Sequence, residues 1–268
     1  RGHKWLPEYR HSTPETVWDH WGLSAEQAEH GRLNPRMFNA FLDGSKPAIE
    51  CAAIANATGL DAPSEGLLYP PGAIDDIPTL MRPRSEGGEL ERKGMVEAIS
   101  CLTRDGAPIV NDIRKGVWVC FEGQSDYVKN CFEEYSVVTD PSGTYMSHYK
   151  KWHLIGLELA VSVASVGLRG EATGAAKMFN ADVISIAKRD LVAGEILDGE
   201  GGYTVAGSLR PACVSVAGGY LPLGVAHDVT LKNAVQEGDV VTWNDVVANE
   251  DSEAILLRRD IEAGLRAG

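Results

Sequence analysis

FLDGSKPAIECAAIANATGL (41–60) reads as the end of a strand, a tight turn at Asp43-Gly44, and a helix that is apolar or tiny on almost every side. Ser45 is a good N-cap, Pro47 suits the first turn, and Gly59 closes the helix after Thr58. Helices with such surfaces are normally buried. This one nevertheless carries Asp43, Lys46, Glu50 and Asn56. Lys46 and Glu50 are four apart and share a face, with Asp43 just before them, so the three can converge on one pocket. The plain alternative is a helix-start ion pair beside a turn aspartate, worth about 0.3–0.5 kcal/mol if solvated. Among Ile49, Cys51, Ala52, Ala53, Ile54 and Ala55 the groups are expected to be partly desolvated. Charges are tolerated there mainly where they are paired or used. A lysine beside carboxylates is a proton donor that burial can tune.

The chain has 268 residues, 44% hydrophobic, enough to bury a sizeable core in one large or two smaller domains. Its formal charge of −13 repels phosphate backbones and anionic lipid, so neither nucleic acid nor a membrane surface is expected as partner. No apolar run approaches the roughly 20 residues of a spanning helix. The five cysteines (51, 101, 120, 131 and 213) have no metal-site or disulfide spacing and suit reduced thiols in a cytoplasm.

Outward from the central helix, TPETVWDHWGLSAEQAEH (13–30) suggests one or two short helices capped at Thr13 or Ser24. MFNAFLDG (37–44) reads as a strand. LLYPPGAIDDIPTLMRPRSEGGEL (67–90) is long and rich in Pro and Gly, either a substrate lid or a surface excursion. KGVWVCFEG (115–123) is a strand and SDYVKNCFEE (125–134) a helix. EYSVVTD (134–140) and TYMSHYK (144–150) are strands joined by a type I turn at Asp140-Pro141-Ser142-Gly143. KWHLIGLELAVSVASVGL (151–168) is a second apolar helix, with Glu158, Ser162 and Ser165 on a narrow polar stripe and His153 at its start. Glu158 needs a partner, hydrogen-bonded or in a site. His153 and His148 are structural unless they line a cleft. Lys150 and Lys151 form a solvated pair or hold an anionic group, and Asn56 and Thr58 read first as last-turn polar groups.

Beyond about 180 the pattern changes. KRDLVAGEILDGEGGYTV (188–205) and, 44 residues on, KNAVQEGDVVTWNDVV (232–247) repeat a basic start, an apolar pair, Gly followed by an acid, and a β-branched stretch. The expected organisation is an α+β catalytic and dimerisation domain over 1–180, with a mixed sheet and packed helices, and a small all-β module over 181–268. HExxH, GxSxG and a P-loop are absent, and GLRGEATG (167–174) lacks the spacing and the preceding strand of GxGxxG.

The runs FLDGSKPAIECAAIANATG (41–59), YKKWHLIGLELAVSVA (149–164), AKRDLVAGEILDGEGGYTVAG (187–207) and LPLGVAHDVTLKNAVQEGDVV (221–241) resemble SAF-domain oxidoreductases related to homoserine dehydrogenase. That family includes 1-deoxy-D-xylulose 5-phosphate reductoisomerase-like enzymes of isoprenoid biosynthesis. The resemblance covers about residues 1–250 and is weakest over 61–130. It implies an N-terminal Rossmann domain that this chain lacks, a catalytic domain that builds a homodimer, and a C-terminal SAF module of β-clip type. The chain is then a fragment or a stand-alone descendant. By the same resemblance Asp43 and Lys46 belong to the substrate pocket with Glu50 and Asn56 behind them, and His153 and Glu158 match the second helix. Lys46 would hand a proton to the carbonyl oxygen, with Lys4 as its rival, and Asp43 would orient substrate hydroxyls. The carboxylate cluster of a metal-dependent reductoisomerase is not evident, which leaves a divalent metal open.

The residues and the resemblance together point to an NAD(P)-dependent oxidoreductase, NADP or NAD bound mainly by the missing domain, acting on a small hydroxylated carbonyl compound or sugar phosphate. Lys46, Asp43, Glu50 and His153 are the catalytic candidates; Asn56, Glu158, Lys4 and Lys150 are the substrate-binding ones. Two other classes fit the same residues: a cofactor-free lyase, isomerase or cyclase, and a non-catalytic binding or assembly subunit.

Overall fold

The computed structural model describes residues 2–114, 116–151 and 154–267. Along the chain lie β1 (Gly2–His3), α1 (Val17–Trp21), α2 (Ala25–His30), α3 (Pro35–Leu42), α4 (Ser45–Thr58), α5 (Ile77–Leu80), β2 (Ile99–Ser100), β3 (Val117–Glu122), α6 (Asp126–Glu134), β4 (Tyr145–Lys150) and α7 (Ile155–Arg169). They are followed by β5 (Ala181–Ala187), β6 (Ile196–Asp198), β7 (Val205–Pro211), α8 (Ala212–Gly218), β8 (His227–Leu231), β9 (Val246–Val247) and α9 (Glu253–Ala267). The fold is α+β, with small sheets and packed helices.

Two compact units divide the chain, Arg1–Lys4 with Leu68–Ala176, and Trp5–Leu67 with Lys177–Gly268. These units interleave along the chain, unlike the consecutive segments 1–180 and 181–268 read from the sequence. The physical reason is α4, whose Ala48, Cys51, Ala52 and Ala55 pack on the β5–β7 ribbon from far along the chain.

In the first unit β3 and β4 form an antiparallel hairpin in which Val119 faces His148 and Phe121 faces Met146. Alternation along β3 sends Trp118 and Cys120 to the other side, where with Tyr149 they cover a core of Ile77, Met81, Leu90, Ile99 and Ile113. Gly143 N–H closes the expected turn onto Asp140 O, while Asp140 Oδ1 accepts from Thr144 and Tyr145 N–H. The predicted strand over 134–140 is not formed; Ser136 is left-handed at φ 54°, and the pairing with β4 there is a bridge of Thr139 to Met146 and the Asp140 N–H to Tyr145 O bond. The Pro- and Gly-rich stretch after 67 is ordered by short helical turns, Ile74–Asp76, α5 and Arg84–Glu86.

In the second unit α2 starts with a capping box between Ser24 and Gln27, and α1 follows Thr16 rather than Thr13. The segment 37–42 is helix, not strand: Asn34 Oδ1 accepts from the N–H groups of Arg36 and Met37, and Pro35 starts α3. The main core joins Leu191, Leu197, Val205, Leu221, Leu231 and Val241. The repeated pattern is visible here, since Leu191 and Val235 exchange backbone hydrogen bonds and Gly194 and Gly238 share a left-handed conformation (φ 87° and 83°). The residues after 180 are not all β: α8 follows β7, and α9 ends the chain, held by Arg258 on Asp182.

Candidate functional site

Asp43 ends α3 as its C-cap, and Gly44 takes φ 91°, a left-handed value that turns the chain into α4. The Asp43 side chain is fully buried. Its Oδ1 accepts from Ser45 N–H at 2.9 Å and its Oδ2 from Lys188 Nζ at 3.1 Å. Lys188 spends its other two donors on the carbonyls of Ser12 and Gly202. Asn39, one turn before Asp43, donates to Ser12, Gly201 and Gly202 carbonyls, and Ser12 Oγ returns a hydrogen bond to Asn39 Oδ1 at 2.6 Å. Ser45 Oγ accepts from Gly207 N–H at 2.7 Å. A buried ion pair is costly unless every lone pair and proton is satisfied; here each oxygen of Asp43 and each proton of Lys188 has a partner. The pair therefore works as an anchor that fixes the start of α4.

Close approach makes the anchor possible. A Cβ on Gly207 would lie 3.1 Å from Ser45 Cα and 2.7 Å from Leu223, so only glycine lets the helix start sit on β7.

Lys46, the next residue, is half-buried, and among the described residues its ammonium has no ion-pair or side-chain hydrogen-bond partner. Glu50 is half-buried one turn on, with Oε2 inside the protein. The surroundings are more open than the sequence suggests, since Ile54 is exposed on the side of α4 turned from the sheet. Asp43 lies beside this helix start, fully buried and bonded to Ser45 N–H and Lys188.

Asn56 has a structural use. Its Oδ1 accepts from Asn180 and Ala181 N–H, and its Nδ2 donates to Ala181 O, stitching the chain before β5 to α4. In the first unit Lys150 pairs with Glu158, answering the need of that glutamate for a partner. Lys4 is half-buried beside Cys101 and Arg114, and burial is the main cause that lowers its pKa below the ordinary lysine value. Burial raises the Cys101 thiol, so it is not an activated nucleophile. His153 lies outside the described residues.

Lys188 is the residue the sequence reading missed. A lysine directly after the apolar strand ending ISIA was a signal, but its partner stands 145 positions away.

Among the described residues no strand runs through a glycine-rich turn into a helix on a parallel sheet; the sheets have two or three strands. These residues do not fit a dinucleotide held in the Rossmann manner. Among them there is also no group of three or more His, Cys, Asp or Glu placed to hold a metal ion, and no helix long and apolar enough to cross a membrane.

Residues 1–159, more than half of the chain, match the family described as oxidoreductase DRL, catalytic domain. The chain belongs to this oxidoreductase family. No curated protein matches it. The matched stretch holds Lys4, Asp43, Lys46, Glu50, Asn56, Lys150 and Glu158, while Lys188 lies beyond it.

Proposed function

We propose that this chain is the substrate-side portion of an NAD(P)-dependent oxidoreductase, with Lys46 supplying the proton, acting on a small hydroxylated carbonyl compound or a sugar phosphate. The nucleotide is held by a domain or partner other than the described residues, and residues 181–268 serve as an SAF-like module. The observation that carries the reading is the contrast between two lysines at one helix start. Lys188 has its protons bound by protein acceptors, whereas Lys46 is half-buried on the first turn of α4 and, among the described residues, has no side-chain partner. Reduction of a carbonyl builds negative charge on its oxygen, and a positioned ammonium both stabilises that charge and supplies the proton. Asp43 is here a positioning residue, acting through Ser45.

The test is reduction of a panel of hydroxylated aldehydes, ketones and sugar phosphates with NADPH and NADH, by the chain together with its nucleotide-binding portion. With the substrate so found, Lys46→Ala should lower kcat by about 100- to 10,000-fold with little change in stability, and Lys46→Arg should retain part of the activity. Unchanged kcat in Lys46→Ala would remove Lys46 from the chemistry. Turnover that needs no nicotinamide would move the chain to the cofactor-free class.

A further inference from the structure

Arg210, near the end of β7, is a half-buried cation that no carboxylate among the described residues pairs with. Its Nη1 donates to Ser208 Oγ at 2.6 Å and to Leu209 O at 2.8 Å, while Nε and Nη2 have no partner among the described residues. Asp182 is its register partner across the β5–β7 ribbon, but both Asp182 oxygens are taken by Arg258, and Oδ2 also accepts from Ser215. Burial is the main cause that lowers the Arg210 pKa below the ordinary arginine value; exposed Glu65 acts the other way, and Arg10 adds like charge. Arg10, half-buried in the turn Pro7–His11 of the same unit, also has a guanidinium without an ion pair or hydrogen bond among the described residues. Acids are not scarce: the chain has 38 against 25 Lys and Arg, and Arg82, Arg189, Arg258 and Arg259 are all paired. Two neighbouring arginines left without a carboxylate are therefore a local exception. Partly buried charges persist mainly where they are paired or used.

We infer that Arg210, Arg10 and Ser208 form a binding site for a phosphate dianion, inorganic phosphate or a phosphate monoester, separate from the Lys46 site. The Nη1 bonds hold the Arg210 fork in place, and its open Nε–Nη2 edge offers two parallel N–H donors that match two phosphate oxygens. Ser208 is buried; its Oγ accepts from Arg210, and its own proton has no acceptor among the described residues, so it can donate to a third oxygen. Arg10 supplies the second positive charge that a dianion needs and a single carboxylate does not. Space is kept by Gly66, at φ 93°: a Cβ there would lie 2.7 Å from Arg210 Nη1 and 3.0 Å from Ser208 Oγ, so only glycine lets the loop pass against this pair. β7 presents Gly207 to Ser45 at the start of α4, and strand alternation puts Ser208 and Arg210 on the opposite face of the ribbon. The anion site thus stands on its own observations and does not depend on Lys46 as proton donor.

The experiment is calorimetric titration of the full chain with inorganic phosphate, glycerol 3-phosphate and acetate in a phosphate-free buffer. Saturable binding of phosphate or glycerol 3-phosphate at one site per chain is expected, with acetate weaker. Arg210→Gln and Arg10→Gln should each weaken it about ten-fold or more, the loss expected for a hydrogen bond to a charged group. If Arg210→Gln fails to fold, Arg10→Gln decides, because its guanidinium has no partner to lose among the described residues. Lys46→Ala should bind phosphate as wild type does. Glycerol 3-phosphate tighter than phosphate makes the ligand a monoester and the reverse order makes it the free ion; either order supports the site. No saturable binding at millimolar concentration, acetate as tight as phosphate, or wild-type affinity in Arg10→Gln would each overturn the inference. So would a loss in Lys46→Ala as large as in Arg10→Gln, which would move the anion to the start of α4. The readout is independent of any catalytic activity.

Discussion

Lys188 Nζ and Asp43 Oδ2 stand 3.1 Å apart with both side chains almost wholly out of solvent, and the pair joins the end of β5 to the turn that launches α4. Removing one member strands the other as a buried charge. Lys188→Met should therefore cost about 3–5 kcal/mol, read from the urea midpoint of the second unit. Asp43→Asn should also destabilise, and the double variant should cost less than the two singles combined, with a coupling of about 2 kcal/mol. Additive losses would mean the two groups do not sense each other.

Lys46 behaves oppositely. With no side-chain partner among the described residues to lose, Lys46→Ala should move stability by no more than about 0.5 kcal/mol while abolishing most turnover. The split between an unmoved urea midpoint and a collapsed kcat distinguishes a proton donor from a structural cation.

Much of this arrangement was legible because local signals agreed with the fold. α4 has its glycine stop, α6 its Ser125 cap, and the β3–β4 hairpin its alternation. α3 was misread because MFNAFL is apolar enough for a strand; the decisive signals, Asn34 and Pro35, lie just upstream. α9 carries its inward residues Ile255, Arg258 and Glu262 at helical spacing, a pattern passed over after the strand-rich repeats. Asp43 drew attention in the sequence as a charge near an apolar helix that is either paired or used, but nothing local names Lys188. Long-range pairing of that kind is fixed by the packing of α4 on β5 and β7, which sequence spacing does not reveal.

Gly207 tests the close approach on which the helix start depends. Gly207→Ala forces a methyl against Leu223 and the Ser45 backbone, and overpacking of this sort costs about 1–3 kcal/mol. Because the clash pushes on Ser45, the substitution should lower kcat as well as the urea midpoint. A stable Gly207→Ala with full activity would show that the spacing is relaxed.

Asn56→Ala should cost about 2–4 kcal/mol, since two backbone N–H groups and one carbonyl near β5 lose their side-chain partner. Hydrogen exchange should speed up selectively at Asn180 and Ala181, and a uniform change across the second unit would argue against a local stitch.

Glu97 gives the first unit a pH dependence whose sign follows from burial. Its carboxyl accepts from the N–H groups of Ala98 (2.8 Å), Leu68 (3.0 Å) and Tyr69 (3.4 Å), but desolvation outweighs them and pushes its pKa from 4.5 up to about 7. Below about pH 4.5 the group is protonated folded or unfolded, and the stabilisation is fully present. Between 4.5 and 7 the unfolded chain ionises while the folded one holds its proton, so stability falls as pH rises, by about 3 kcal/mol in all at 1.36 kcal/mol per unit. Above about 7 both forms are ionised and this contribution changes no further. Glu97→Gln cannot ionise, so the difference between its urea midpoints and those of wild type should vary from pH 5 to 7 and level off beyond. Parallel pH profiles for the two proteins would show that Glu97 keeps an ordinary carboxyl pKa.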